Sequence, residues 1–298
     1  HWLDGVDNAP PQPNENYARE FFELFTLGRF PQIYSEGDVR EAARAFTGWT
    51  ANPILRRGEF RAQRHDNKSK RILGRTVPGA GASEYLTVVD LALEQPIASR
   101  FVAAKLVAGL AYLPAMTDLL RAPDPLVRKV ADSLRSSRWQ LLPALRTLFR
   151  AEEFRARGGR RQLVRSPVEV VVATCRALGL AADDMAWHPL LRRMGQQLFE
   201  PPNVGGWPGG QDWLTPSTVI ARYDLGLTAV ARARAANVAL PTADDVPGWT
   251  RRLALPELSA NTTAAVRAFL ASKAGGTAAE RQTGVAALLL ASPEWTVV

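Results

Sequence analysis

Residues 14–50 read NENYAREFFELFTLGRFPQIYSEGDVREAARAFTGWT, and the fold class is decided there. Asn14, an N-cap type residue behind Pro13, opens a helix over 15–27, and Gly28 stands where a left-handed C-terminal residue belongs. At about 100° per residue, Asn16, Arg19, Glu20 and Glu23 share one stripe. Tyr17, Ala18, Phe21, Phe22, Leu24 and Phe25 fill nearly all the rest of the circumference. A helix apolar on most sides is a buried one, so the charged stripe is expected to face protein or a cavity. Ser35-Glu36-Gly37-Asp38 is a capping box with the shorter acid, and it opens a second helix over 36–47, closed by Gly48. Val39, Ala42, Ala43 and Phe46 form its inner face, with Arg40, Glu41 and Arg44 opposite.

Outward from this pair, residues 51–82 carry Gly, Pro and charge in place of helical periodicity. They predict a long loop, with a hairpin pairing 59–62 with 71–76. From Ser83 onward the pattern is helical: 84–94, 97–112 behind Pro96, 125–136, 143–153, 167–179, 188–197, 217–233, 244–254, 262–272 and 277–291. The fold class is therefore all-α, a multi-helical globular array with a minor β-hairpin or long loop near 55–78. Residues 1–13 are expected to be an extended lead-in. Residues 14–233 form the main helical domain, and 234–298 a C-terminal helical segment packed on it.

The chain has 298 residues, is 46% hydrophobic and 22% charged, and has no apolar run of the roughly 20 residues a transmembrane helix needs. Its net charge is +8, with arginine far outnumbering lysine, and the basic residues crowd between Arg56 and Arg75 and between Arg155 and Arg165. These runs suit solvated loops or a polyanion such as an acidic glycan. Nucleic acid is not expected, because aromatic interleaving and any known binding motif are missing. Cys175, the single cysteine, falls on the apolar face of the 167–179 helix and reads as a buried structural thiol.

Three constellations carry chemistry. Glu20 and Glu23, with Arg19, could bind a cation or act as an acid–base pair. The plainer reading pairs them with Arg40 or Arg44 in an internal ionic network. His65-Asp66 offers imidazole beside carboxylate. Two adjacent ligands fall short of a metal site, however, and a hydrogen-bonded histidine anchoring the loop is the simpler reading. In the 199–213 loop, FEPPNVGGWPGGQDW, Trp207 and Trp213 could stack on a sugar. The favoured reading is a plug, with Asn203 and Asp212 satisfying loop backbone groups. No GxSxG, HExxH, P-loop or dinucleotide fingerprint is present.

NENYARE with ELFTLG, then DVREAARAFTGWT, His65-Asp66 and Ile72-Leu73-Gly74 resemble the bacterial family called domain of unknown function 1800. QPIASRFVAAKL (95–106), SPVEVVVATCRALG (166–179), GQQLFEPPNVGGWPGG (195–210) and LLLASPEW (288–295) extend the resemblance over most of the chain. Val107 departs from it, standing where the family usually carries Trp. The resemblance implies an exported protein, periplasmic or secreted, of which this chain is the C-terminal part. It also implies a neighbour encoded nearby, a sulfatase-like protein (domain of unknown function 1501). It implies no reaction. Two readings follow. One is a non-catalytic assembly, binding or partner role. The other is a hydrolase using Glu20, Glu23, His65 and Asp66, with or without a divalent metal, on a glycan or similar polymer.

Overall fold

The computed structural model describes residues 3–298 apart from 30–31, 53, 55, 115, 117–118, 120, 122, 159–162, 256 and 274–275. About 60% of the residues are helical, and the strands among the described residues form two small antiparallel hairpins. The chain divides into two compact units, 1–159 and 160–298.

In the first unit, α1 (Asn16–Glu20) runs directly into a π-helical turn, Phe21–Thr26. Asn14 Oδ1 accepts from Asn16 N at 2.9 Å, and Thr26 Oγ1 donates to the Phe21 carbonyl at 2.7 Å. The i→i+5 turns widen the helix, so Glu20 and Glu23 no longer align as an ideal α-helix would place them. Gly28 ends the segment at φ 80°, where a Cβ would stand 2.9 Å from the Phe101 ring. α2 (Glu36–Ala45) opens on the expected reciprocal cap, Asp38 N to Ser35 Oγ at 3.1 Å and Ser35 N to Asp38 Oδ2 at 2.8 Å.

β1 (Trp49–Asn52) pairs with β2 (Arg57–Phe60), and β3 (Lys70–Ile72) with β4 (Arg75–Val77). Two hairpins thus replace the single one expected to join 59–62 to 71–76. Trp49 and Thr50, passed over behind Gly48, are aromatic and β-branched strand formers. Leu73-Gly74 makes the second turn with both φ positive, 48° and 78°, as a tight type I′ hairpin requires.

The lead-in is docked rather than merely extended. A 3₁₀ turn covers Gly5–Asp7, and buried Asn8 donates to the Ala43 carbonyl at 2.8 Å while accepting from Asn14 N at 2.9 Å. α3 (Glu84–Glu94), α4 (Pro96–Leu110), α5 (Pro125–Ser136), α6 (Leu141–Arg150) and α7 (Glu152–Gly158) complete the unit. The helix expected over 143–153 breaks at Ala151, which is extended (ψ 142°). Val107 lies wholly inside the core, so the departure from the family pattern there is a packing change.

The second unit holds α8 (Pro167–Leu178), α9 (His188–Arg193), α10 (Pro216–Ala235), α11 (Val246–Arg252), α12 (Ala260–Ser272), α13 (Ala278–Ala291) and α14 (Pro293–Thr296). Leu225, Ala229, Val230 and Ala233 of α10 share one core with Val285, Leu289 and Leu290 of α13. At Gly226 the helices approach so closely that a Cβ would lie 2.7 Å from Ala287 Cα. The division expected at 233/234 therefore falls inside this unit. The apolar face of α10, assigned to the preceding domain, packs on the C-terminal helices. Among the described residues, no helix is long and apolar enough to cross a membrane.

Candidate functional site

The second half of the loop segment is pinned from below by an ionic centre. β3 alternates inward and outward, so Lys70 shares the buried face with Ile72. Its ammonium lies against Glu84 Oε1, at the first position of α3, and donates to the Asp66 carbonyl. His65 Nε2 faces Glu84 Oε2 at 3.0 Å, and Ala80 N donates to the same oxygen at 3.2 Å. The side chains of His65, Lys70 and Glu84 are 2%, 0% and 0% exposed. A substrate cannot reach them.

The protons in this centre follow from its partners. His65 Nδ1 stands 2.9 Å from the Thr47 carbonyl, which can only accept, so Nδ1 carries a hydrogen. Thr47 Oγ1 donates to the Arg44 carbonyl at 2.6 Å and accepts from Asp66 N at 2.9 Å. With Nδ1 a donor, the contact between Nε2 and Glu84 needs a second proton. That proton sits on an imidazolium facing a carboxylate, or on a carboxylic acid facing a neutral imidazole.

Asp66 is held from the other side. Arg44 Nε donates to Asp66 Oδ2 at 2.8 Å, and Arg44 also reaches Glu41 Oε2 at 2.7 Å. The guanidinium hydrogen bond holds the Asp66 carboxyl down at about 2, below its ordinary 3.8. The folded state therefore binds fewer protons than the unfolded chain between these values, and stability is lost as pH falls through that window. Asp66→Asn should remove about 2 kcal/mol of acid-dependent stability, read as the difference between wild-type and variant urea midpoints from pH ~4 down to ~2.

Glu20, Glu23 and Arg19 behave differently from expectation. Glu23 pairs with Arg29 at 2.5 Å, and it stands beside buried Tyr34, whose hydroxyl is pushed up to about 12, first by burial and then by that carboxylate. Arg19 takes Glu36 (2.6 Å) and Glu15 (3.1 Å), and Asn16 donates to Asp4 Oδ2 at 3.3 Å. Arg40 donates to the Glu36 carbonyl at 3.4 Å. The expected matching of Glu20 or Glu23 to Arg40 or Arg44 is absent among the described residues. The π turn rotates Glu23 toward Arg29, while Arg44 is taken by Glu41 and Asp66. Glu20 is buried, and its Oε2 has no hydrogen-bond partner among the described residues. No group of three His, Cys, Asp or Glu side chains that could hold a metal ion occurs among the described residues, and His1 lies outside them.

The same unit carries a cavity of about 640 Å³. Leu3, Gly5 and Val6 of the lead-in close one side. Tyr17, Phe21 and Phe46 form the floor, and Trp49, Thr50, Ala51 and Gly58 of the first hairpin and Tyr85 and Val89 of α3 the far wall. The rings interlock edge to face: Tyr17 on Phe46 at 5.1 Å, Trp49 on Tyr85 at 5.6 Å and Trp49 on Phe60 at 5.5 Å, with Phe60 also against His65 at 5.3 Å. Among the described residues, no charged one lines it. Its volume lies within the range of small-molecule pockets, and Thr50, Tyr17, Tyr85 and Trp49 are the described lining residues with polar side-chain groups. The ionic centre sets this wall. Thr47, bonded to His65, is two residues from Trp49, and Glu84 precedes Tyr85.

In the second unit, Asn203 Oδ1 accepts from Gly205 N at 2.8 Å. Trp213 is buried, with its carbonyl bonded by Thr218 Oγ1 at 2.8 Å. Trp207 is half-buried, and its Nε1–H has no partner among the described residues. Cys175 is buried, and burial pushes its thiol up to about 11.

The molecule is thus a mostly helical protein whose first unit carries an uncharged, aromatic-walled cavity and a sealed ionic centre. A family model described as "Protein of unknown function (DUF1800)" matches residues 1–297, and the chain belongs to that family. No curated protein and no solved structure matches it.

Proposed function

We propose that this protein has a non-catalytic binding role and that the first unit takes an uncharged, largely apolar ligand carrying a flat ring or hydrocarbon face. The observation that carries the reading is the division of labour in that unit. His65, Asp66 and Glu23 are occupied by Glu84, Arg44 and Arg29, while the aromatic cavity of about 640 Å³ has no charged residue among the described residues of its walls, in contrast to the cavity of about 510 Å³ beside Asp90, Glu94, Arg135 and Arg138. Aromatic edges and faces recognise flat apolar groups, and a few hydroxyls orient them. A polyanion or an acidic glycan would find no cation among the described residues of these walls. Export, a periplasmic or secreted location and a sulfatase-like partner belong to the same proposal, and family resemblance is their support. The hydrolase reading has less support, since its histidine is enclosed and its carboxylates are paired or buried.

The test is a titration with N-phenyl-1-naphthylamine, an uncharged aromatic probe. Saturable binding is expected, and Ala51→Phe, which puts a ring into the cavity, should weaken it by at least tenfold. An anionic naphthalene sulfonate should bind more weakly than the neutral probe. Absence of saturable binding, or binding that ignores Ala51→Phe, would overturn the proposal. Polymer hydrolysis abolished by Asp66→Asn would establish the enzyme instead.

A further inference from the structure

Arg222, on the second turn of α10, is 1% exposed and lies in the second unit. Its Nη2 donates to the Arg165 carbonyl at 2.9 Å, but its Nε and Nη1 have no hydrogen-bond partner among the described residues. The acids beside its contacts are bonded elsewhere: Glu169 accepts from Ser166 N at 2.7 Å, and buried Glu294 accepts from Ser259 N at 2.8 Å and Thr262 Oγ1 at 2.9 Å. Arg165 itself stacks on the Trp295 ring at 4.3 Å, and its backbone N–H is taken by the Thr296 carbonyl at 2.9 Å. The acids that pair with arginines in this unit are engaged elsewhere: Asp224 with Arg193, Asp184 with Arg232 and Asp244 with Arg281. The residues of the unit outside the description are Arg160, Arg161, Gln162, Pro256, Ala274 and Gly275, none of which carries a carboxylate.

A guanidinium taken out of water without an opposite charge is strongly unfavourable, and arginine does not escape by losing its proton at neutral pH. The side chain nevertheless sits inside the unit, between helices packed as closely as Gly226 on Ala287. We infer that the second unit binds a small monovalent anion of chloride size against Arg222, which supplies the missing counter-charge and accepts from the free N–H groups. The enclosure selects the class. A guanidinium with so little exposure cannot be reached by the phosphate or carboxylate of a larger molecule, which leaves a single compact ion as the class of counter-charge. The anion is then part of the folded state, and its binding stabilises the protein by mass action.

The test compares thermal melting of the full chain in sodium chloride, sodium bromide and sodium methanesulfonate at equal ionic strength. Wild type should melt a few degrees higher in the two halides, rising with their concentration, and Arg222→Met should lose that difference. Crystals grown in bromide should show its anomalous signal at hydrogen-bonding distance from the Arg222 guanidinium. That measurement serves even if Arg222→Met does not fold. Equal melting in all three salts, the same halide effect in Arg222→Met, or a water in place of the bromide peak would overturn the inference.

Discussion

Glu84→Gln is expected to destabilise the protein by about 3–5 kcal/mol, because it strands Lys70 and His65 inside the first unit without their shared carboxylate. All three side chains are sealed from solvent, so water cannot replace what is lost. The magnitude is that of breaking a buried pair, and the measurement is a urea unfolding midpoint at neutral pH. Two comparisons fix its cause. Lys70→Met added to Glu84→Gln should recover part of the loss, since removing both charges leaves neither uncompensated, and the double-mutant cycle reads the coupling directly. Glu23→Gln should cost only about 0–1 kcal/mol, because its partner Arg29 is 65% exposed. If Glu84→Gln costs no more than Glu23→Gln, the ionic centre does not hold the fold.

Gly79→Ala should cost more than the usual 1–3 kcal/mol of overpacking, because the new Cβ would stand 2.0 Å from the Asn67 carbonyl oxygen. That oxygen is backbone and cannot swing away, so residues 66–69 must lift from 79–81 and carry Asp66 and Lys70 with them. Gly74→Ala is the matched control. Gly74, unlike Gly79, is left-handed (φ 78°), but nothing lies within 4 Å of its Cβ position, so only the intrinsic conformational cost of about 1–2 kcal/mol should appear. Equal losses for the two, by thermal or denaturant unfolding, would mean that the loop does not close on Asn67 as described.

How much of this was readable in the chain differs by element. The capping box at Ser35–Asp38 announces its helix and forms as read, because the cap is a local bond between residues three apart; α8 opens on a like box, Ser166–Glu169, that was not picked out. His65-Asp66 was legible as a loop anchor, and it is one. Its partners were not, because Glu84 looks like an ordinary first-turn acid and Lys70 like one more residue in a basic run. One cue was present: in Lys70-Arg71-Ile72 a two-residue period puts Lys70 on the face of Ile72. Glu23 was misassigned for a different reason. A 100° wheel assumes an α-helix throughout, and the π turn from Phe21 to Thr26 breaks that assumption where Glu23 lies. The cavity could not be read at all. It is assembled from the lead-in, two helices, a hairpin and α3, whose juxtaposition no local pattern encodes.

The binding role rests on occupancy of that cavity, and the most direct measurement is intermolecular nuclear Overhauser contact between bound N-phenyl-1-naphthylamine and the protein methyl groups. Contacts to Val6, Thr50, Ala51 and Val89, four residues from three separate parts of the wall, are the expected result. Contacts confined to residues outside the cavity, with none to these four, would contradict it.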